Sequence, residues 1–227
     1  MIYNCNIIND YKSLKKSVKD NFKRDKEILF SLDEFNEWKA KLNNLKRYNR
    51  QPSMDALKIM SEMQCSVIKE VEPHSKAYPY PMNNPFEEGL AVTINFHIKH
   101  NNNEPLIADD YQKSVFKIIH IFKDSLMHHA RVFTVGCFEI DQNGLLHVHF
   151  ILDGRKLRLL HEEEVYAYHN AIKFIANQVL SCDDVLVEKV RDIGFFEYLL
   201  KSVKDAETSE RFFNYFAHEV KKISDRS

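Results

Sequence analysis

Apolar residues recur at intervals of three and four through the first seventy positions, then alternate with polar ones in the middle of the chain. Phe35, Trp38, Leu42 and Leu45 follow the capping-box pattern Ser31-Leu32-Asp33-Glu34, a spacing that predicts an amphipathic helix. Leu57, Met60, Met63 and Ile68 predict a second, starting at Ser53 and closed before Pro73, and the stretch from Leu14 to Phe30 reads as another. Pro73, Pro79, Pro81 and Pro85 then hold themselves and their predecessors extended. Residues 76–87 therefore read as a linker between a helical region, 1–75, and a main domain, 88–227.

The main domain changes period. Val92, Ile94, Phe96 and Ile98 alternate with Thr93, Asn95 and His97, which predicts a strand with one apolar face. A helix follows over 109–129, and two β-rich runs, 131–141 and 145–152, are joined by Gln142-Asn143-Gly144. Residues 162–180 predict a helix, 184–190 a short strand, and 195–205 and 209–223 a last pair of helices. The expected fold class is α+β: a mainly antiparallel central sheet with helices packed on it, plus the helical N-terminal region.

Composition narrows the class without naming a function. With 44% apolar and 29% charged residues, 16 Phe and 10 Tyr, the chain has the makings of a packed core, and 5 Gly and 6 Pro exclude collagen-like and low-complexity sequences. No apolar run is long enough for a membrane helix and the N-terminal order does not match a secretory signal, so the expected compartment is the cytoplasm. Cys5, Cys65, Cys137 and Cys182 stand at no metal-knuckle or redox spacing and read as reduced, small apolar side chains. The net charge of −1 is unevenly spread, with about +5 in residues 1–50 and about −6 in the rest.

The chemistry concentrates in Cys137-Phe-Glu-Ile-Asp-Gln-Asn-Gly-Leu-Leu-His-Val-His149. His147 and His149 stand two apart on a strand, so both imidazoles leave the same face. If Gln142-Asn143-Gly144 is a three-residue loop with Gly144 left-handed, Glu139 falls directly across from His147, within reach of a shared divalent cation. A two-residue Asn-Gly loop would turn Glu139 to the other face, so the site depends on the turn. Further on, Phe196, Leu199, Leu200 and Val203 form the apolar stripe of the 195–205 helix, and Tyr198 and Lys201 project from its other side.

AVTINF, then HVHFIL preceded by Glu139, then EYLLKSVKD, in that order, resemble the motifs of the HUH superfamily of single-strand DNA nickases, and most closely its rolling-circle replication initiators. The resemblance covers about residues 88–206 and none of the N-terminal region. It implies an HUH-nuclease-like fold in which His147, His149 and Glu139 hold Mn²⁺ or Mg²⁺. It also implies that Tyr198 is a nucleophile forming a 5′-phosphotyrosyl link with DNA and that Lys201 stabilises charge at the reacting phosphate. Lys201, Lys204, Arg155, Lys156 and Arg158, with the polar strand residues Thr93 and Asn95, are the DNA-contact candidates, and the N-terminal lysines are a second patch. The implied partners are single-stranded or hairpin origin DNA and the polymerase and helicase of a bacterial or archaeal host, since no Walker motif follows; no membrane is implied.

Ser202 stands where two-tyrosine members carry their second tyrosine, which points to the single-tyrosine class. A single-tyrosine transposase or a relaxase is the alternative within the same chemistry. From other classes, two histidines and a carboxylate also suit Fe²⁺ in an oxygenase, and a non-catalytic single-strand DNA-binding replication protein would share the fold.

Overall fold

The structure, a computed structural model, describes residues 6–26, 32–44, 58, 89–99, 109–127, 132–154, 157, 161–190, 194–200 and 212–217. In chain order the elements are α1 (Asn6–Lys26), α2 (Leu32–Asn44), β1 (Leu90–Lys99), α3 (Asp109–Leu126), β2 (Val132–Ile140), β3 (Leu145–Leu152), α4 (Glu162–Leu180), β4 (Val185–Lys189), α5 (Gly194–Leu200) and β5 (Phe212–Ala217). The fold is α+β. Its five strands lie in the order β4-β1-β3-β2-β5, every neighbouring pair antiparallel. The predicted linker, and all but Lys58 of the helix expected from Ser53, fall outside the described residues.

Alternation sorts the sheet into two faces. Val92, Ile94, Phe138, Val148, Phe150 and Val187 turn one way and form a single core with Val115, Ile118, Ile119 and Phe122 of α3 and Val165, Ile172 and Ile175 of α4. Thr93, Asn95, Cys137, Glu139, His147 and His149 turn the other way, where α5 packs against β2 and β3. The N-terminal helices join the first of these layers. Val18 and Trp38 belong to the same core, Phe22 lies 4.8 Å from Tyr168 between ring centroids, and Lys39 pairs with Glu162 at 2.8 Å. Among the described residues, no helix is long and apolar enough to cross a membrane.

One predicted element is corrected. Residues 209–223 do not form a helix over their central part: Phe212–Ala217 is a strand, paired antiparallel with β2 through Phe213 opposite Gly136 and Tyr215 opposite Thr134. Its aromatics satisfy a three-four spacing as well as they suit a pleated surface, so periodicity alone does not decide between the two. The open edge of β2 decides it by offering backbone partners. Gly136 makes the fit possible: a Cβ there would run into the Phe213 ring and lie 2.7 Å from the Phe150 Cβ and 2.8 Å from the His149 carbonyl oxygen.

The α2–α4 contact buries a titratable group. His169 sits between Trp38 and Tyr166, with ring centroids 6.0 and 5.9 Å away. Burial, aided by Lys173 and Lys41, pushes its pKa down to about 3. Because the folded value lies below the ordinary 6.5, the unfolded chain takes up a proton that the folded chain refuses between pH 6.5 and 3. Stability present above pH 6.5 is therefore lost as the pH falls through that window, by at most ~1.4 kcal/mol per pH unit. Urea unfolding at pH 7 and pH 5 should show the wild-type protein losing up to about 2 kcal/mol more than His169→Leu; equal losses would rule out His169 as the source of the acid sensitivity.

Candidate metal centre

The β2–β3 turn sets the site. Gly144 has φ 78°, its N–H donates to the Asp141 carbonyl at 3.0 Å, and the Asp141 N–H donates to the Leu145 carbonyl at 2.9 Å. The Asp141 carboxylate accepts the N–H groups of Asn143 and Leu145, each at 2.8 Å. Those donors, Leu145 foremost, hold its carboxyl below the ordinary range. Gln142-Asn143-Gly144 is thus the three-residue loop, and Glu139 pairs with His147 and Cys137 with His149. A loop one residue shorter would have reversed one strand's faces.

On the far side of β3, β1 places Thr93 opposite His149 and Asn95 opposite His147. The Thr93 hydroxyl lies 2.8 Å from His149 Nδ1. If Nδ1 carries the proton and donates it, the lone pair of Nε2 is directed into the site. Past Asn95, β1 spends four residues where β3 spends two, and His97 takes a left-handed φ of 56° in this bulge. The Asn95 amide and the His97 ring both turn to Asp184, at 2.9 and 3.3 Å.

Glu139, His147 and His149 converge. Glu139 Oε2 lies 3.2 Å from His147 Nε2 and 3.5 Å from His149 Nε2, and the candidate ligand atoms of the three all lie within 4.8 Å of one another. Glu139 is only 7% exposed. A charge so desolvated needs close compensation, and two imidazole nitrogens beside one carboxylate oxygen form a donor set that could hold a divalent metal ion.

Tyr198 completes the arrangement from α5. Phe196 and Leu199 of this one-sided helix are buried, while Tyr198 turns over the site. Its hydroxyl lies 3.4 Å from Glu139 Oε2 and 3.4 Å from His149 Nε2, and its ring stands nearly perpendicular to the His149 imidazole, with centroids 5.2 Å apart. Phe195 stacks on it at 6.0 Å. No family model, curated protein or solved structure matches the chain.

The four residues expected at the centre from sequence, Glu139, His147, His149 and Tyr198, are therefore together. Thr93 and Asn95, expected as DNA contacts, are engaged with His149 and Asp184 respectively. Lys201, Lys204, Arg155, Lys156 and Arg158 lie outside the described residues. Sequence reasoning passed over the roles of Asp141, Phe195 and Asp184. Only the first had a local signal, an Asp opening an Asp-x-Asn-Gly turn.

Thr93 acts on the site through His149. Thr93→Val keeps the shape and removes the hydroxyl, so a manganese titration should show affinity about 10–100-fold weaker, with Thr93→Ser near wild type. Unchanged affinity in Thr93→Val would show that His149 needs no such partner.

Proposed function

We propose that this chain is a metal-dependent, single-strand-specific DNA nicking and joining enzyme of the HUH type, acting to initiate rolling-circle replication of a plasmid or phage. The observation that carries the reading is the phenol of Tyr198 beside a two-histidine, one-carboxylate cluster, reached from a separate helix 49 and 59 residues away along the chain. In the oxygenase reading the phenol would be incidental, whereas a phosphoryl transfer through a covalent intermediate needs a nucleophile near a cation.

Mn²⁺ or Mg²⁺ held by Glu139, His147 and His149 would supply Lewis-acid polarisation of a non-bridging phosphate oxygen, and the two imidazoles admit Mn²⁺ more readily than an all-oxygen site does. The chain's own residues do the rest. The Tyr198 oxygen attacks the scissile phosphorus, forming a P–O bond to tyrosine as the bond to the 3′-oxygen breaks. The phenolic proton passes to the Glu139 carboxylate, whose Oε2 lies 3.4 Å away, and is handed on to the departing 3′-oxygen, so that the strand leaves as a 3′-hydroxyl. Thr93 keeps the His149 ring aligned. Lys201, three residues beyond Tyr198 in sequence, is assigned by the resemblance to the charge on the reacting phosphate. The bond energy stays in the phosphotyrosyl link, so the reverse attack by a 3′-hydroxyl rejoins the strand.

The test is incubation with end-labelled single-stranded oligonucleotides of randomised sequence and Mn²⁺, with and without EDTA. A denaturation-resistant protein–DNA adduct that maps to Tyr198 and disappears with EDTA supports the reading. Retention of DNA without cleavage would instead make the protein a binding module, and neither retention nor cleavage would remove it from DNA chemistry.

A further inference from the structure

Helix α1 carries a row of cations that the metal centre does not use. Lys12, Lys16, Lys19 and Lys23 follow at intervals of four, three and four, so they line up along one side of the helix over about 16 Å, at the 1.5 Å rise per residue. The first, second and fourth are exposed and Lys19 is half-buried. None of the four has an ion pair or hydrogen bond among the described residues. Other cations of the two N-terminal helices are committed: Lys15 to Asp124, Arg24 to Asp25, Lys39 to Glu162 and Lys41 to Glu37. Asp20, on the same helix, borders the row. In a protein of net charge −1, four uncompensated cations in single file are a local feature and not a reflection of overall basicity.

We propose that this row is a second DNA-binding surface, holding the phosphate backbone of duplex DNA that flanks the strand in the metal centre. The identity of the polyanion rests on the nickase reading; the surface itself rests on the row. Three features select the partner. Over residues 11–25 the apolar side of α1 is spent, with Val18 buried and Leu14 and Phe22 packed into the core against α3 and α4, so this stretch has no face to lay into a bilayer. Its exposed positions, Lys12, Ser13, Lys16, Asp20, Lys23 and Arg24, include no aromatic, so it lacks the stacking platform that holds a single strand. A straight row of this length faces about five phosphates of one strand of a duplex at 3.4 Å per step. Because α1 lies in the layer covering the opposite sheet face from His147 and His149, the DNA it holds is not the segment being cut.

Binding of a labelled 30-base-pair duplex to the full chain, followed by fluorescence anisotropy between 50 and 200 mM salt, tests the surface. The comparison variant is Lys12→Gln/Lys16→Gln/Lys19→Gln/Lys23→Gln, whose fold is checked by circular dichroism. Four phosphate contacts contribute about 3.6 to the slope of log affinity against log salt, so the wild-type affinity should fall about a hundredfold further than the variant's across that range. Equal slopes overturn the proposal, as does a wild-type protein that ignores the duplex but binds anionic vesicles or polyglutamate through the same lysines. The two readings fail separately. A Tyr198 adduct with an unchanged salt slope removes the surface and leaves the nickase, while a lysine-dependent slope without an adduct removes the nickase and leaves the surface.

Discussion

Tyr198→Phe is expected to abolish covalent capture of DNA, with cleavage falling at least ~10³-fold, because on the proposed mechanism it removes the attacking oxygen while keeping the ring. The Tyr198 hydroxyl makes two long contacts of 3.4 Å, and its ring is held independently by Phe195 and by the edge of His149. Phenylalanine keeps those ring contacts. Folding stability should therefore stay within ~1 kcal/mol of wild type, and manganese binding should change little if Glu139, His147 and His149 are the groups that hold the ion. The decisive measurement pairs denaturing gels of the labelled adduct with a thermal melt of the same preparation. Cleavage that persists in the variant would remove Tyr198 from the chemistry and with it the nickase assignment.

The second large effect is expected at the ligands. His147→Ala, His149→Ala and Glu139→Gln each take away one of three convergent donors, and each should weaken manganese binding by at least ~100-fold and stop cleavage. These side chains stand on the sheet face opposite the main core, so the fold should survive their loss. Thermal stability reads this directly. An ion at a hundred times its dissociation constant adds about 2.7 kcal/mol to the wild-type protein, and the variants should lack that gain. Wild-type protein that cleaves equally well in excess EDTA would rule the metal role out, whatever the variants do.

The hairpin shows how much tertiary geometry can be read from a short local pattern. Strict alternation puts His147 and His149 on one face, and once the turn is the three-residue loop with Gly144 left-handed, Glu139 falls across from His147, because register propagates from the turn in steps of two. The neighbouring strand is different. Nothing in AVTINF says which histidine Thr93 meets, since that depends on how β1 aligns with β3, a pairing made across more than fifty residues. Residues 212–217 follow for a related reason: their aromatics are compatible with helix or strand, and the choice is made by the free edge of β2 and the space above Gly136.

What could be read from the chain alone were the periods: helix α2, the part of α1 from Leu14 onward, strands β1 to β4, and the shared face of His147 and His149, which Glu139 joins once the turn is the three-residue loop. These follow from interactions between residues a few positions apart, where backbone geometry leaves little choice. Tertiary structure alone decided that α5 lies over that face with its phenol at 3.4 Å, that Thr93 braces His149, that α1 and α2 join the α3–α4 layer, and that β5 closes the sheet. Each of those is a contact between distant segments. It is selected by which apolar surfaces remain to be buried and which backbone groups remain to be paired once the local elements exist.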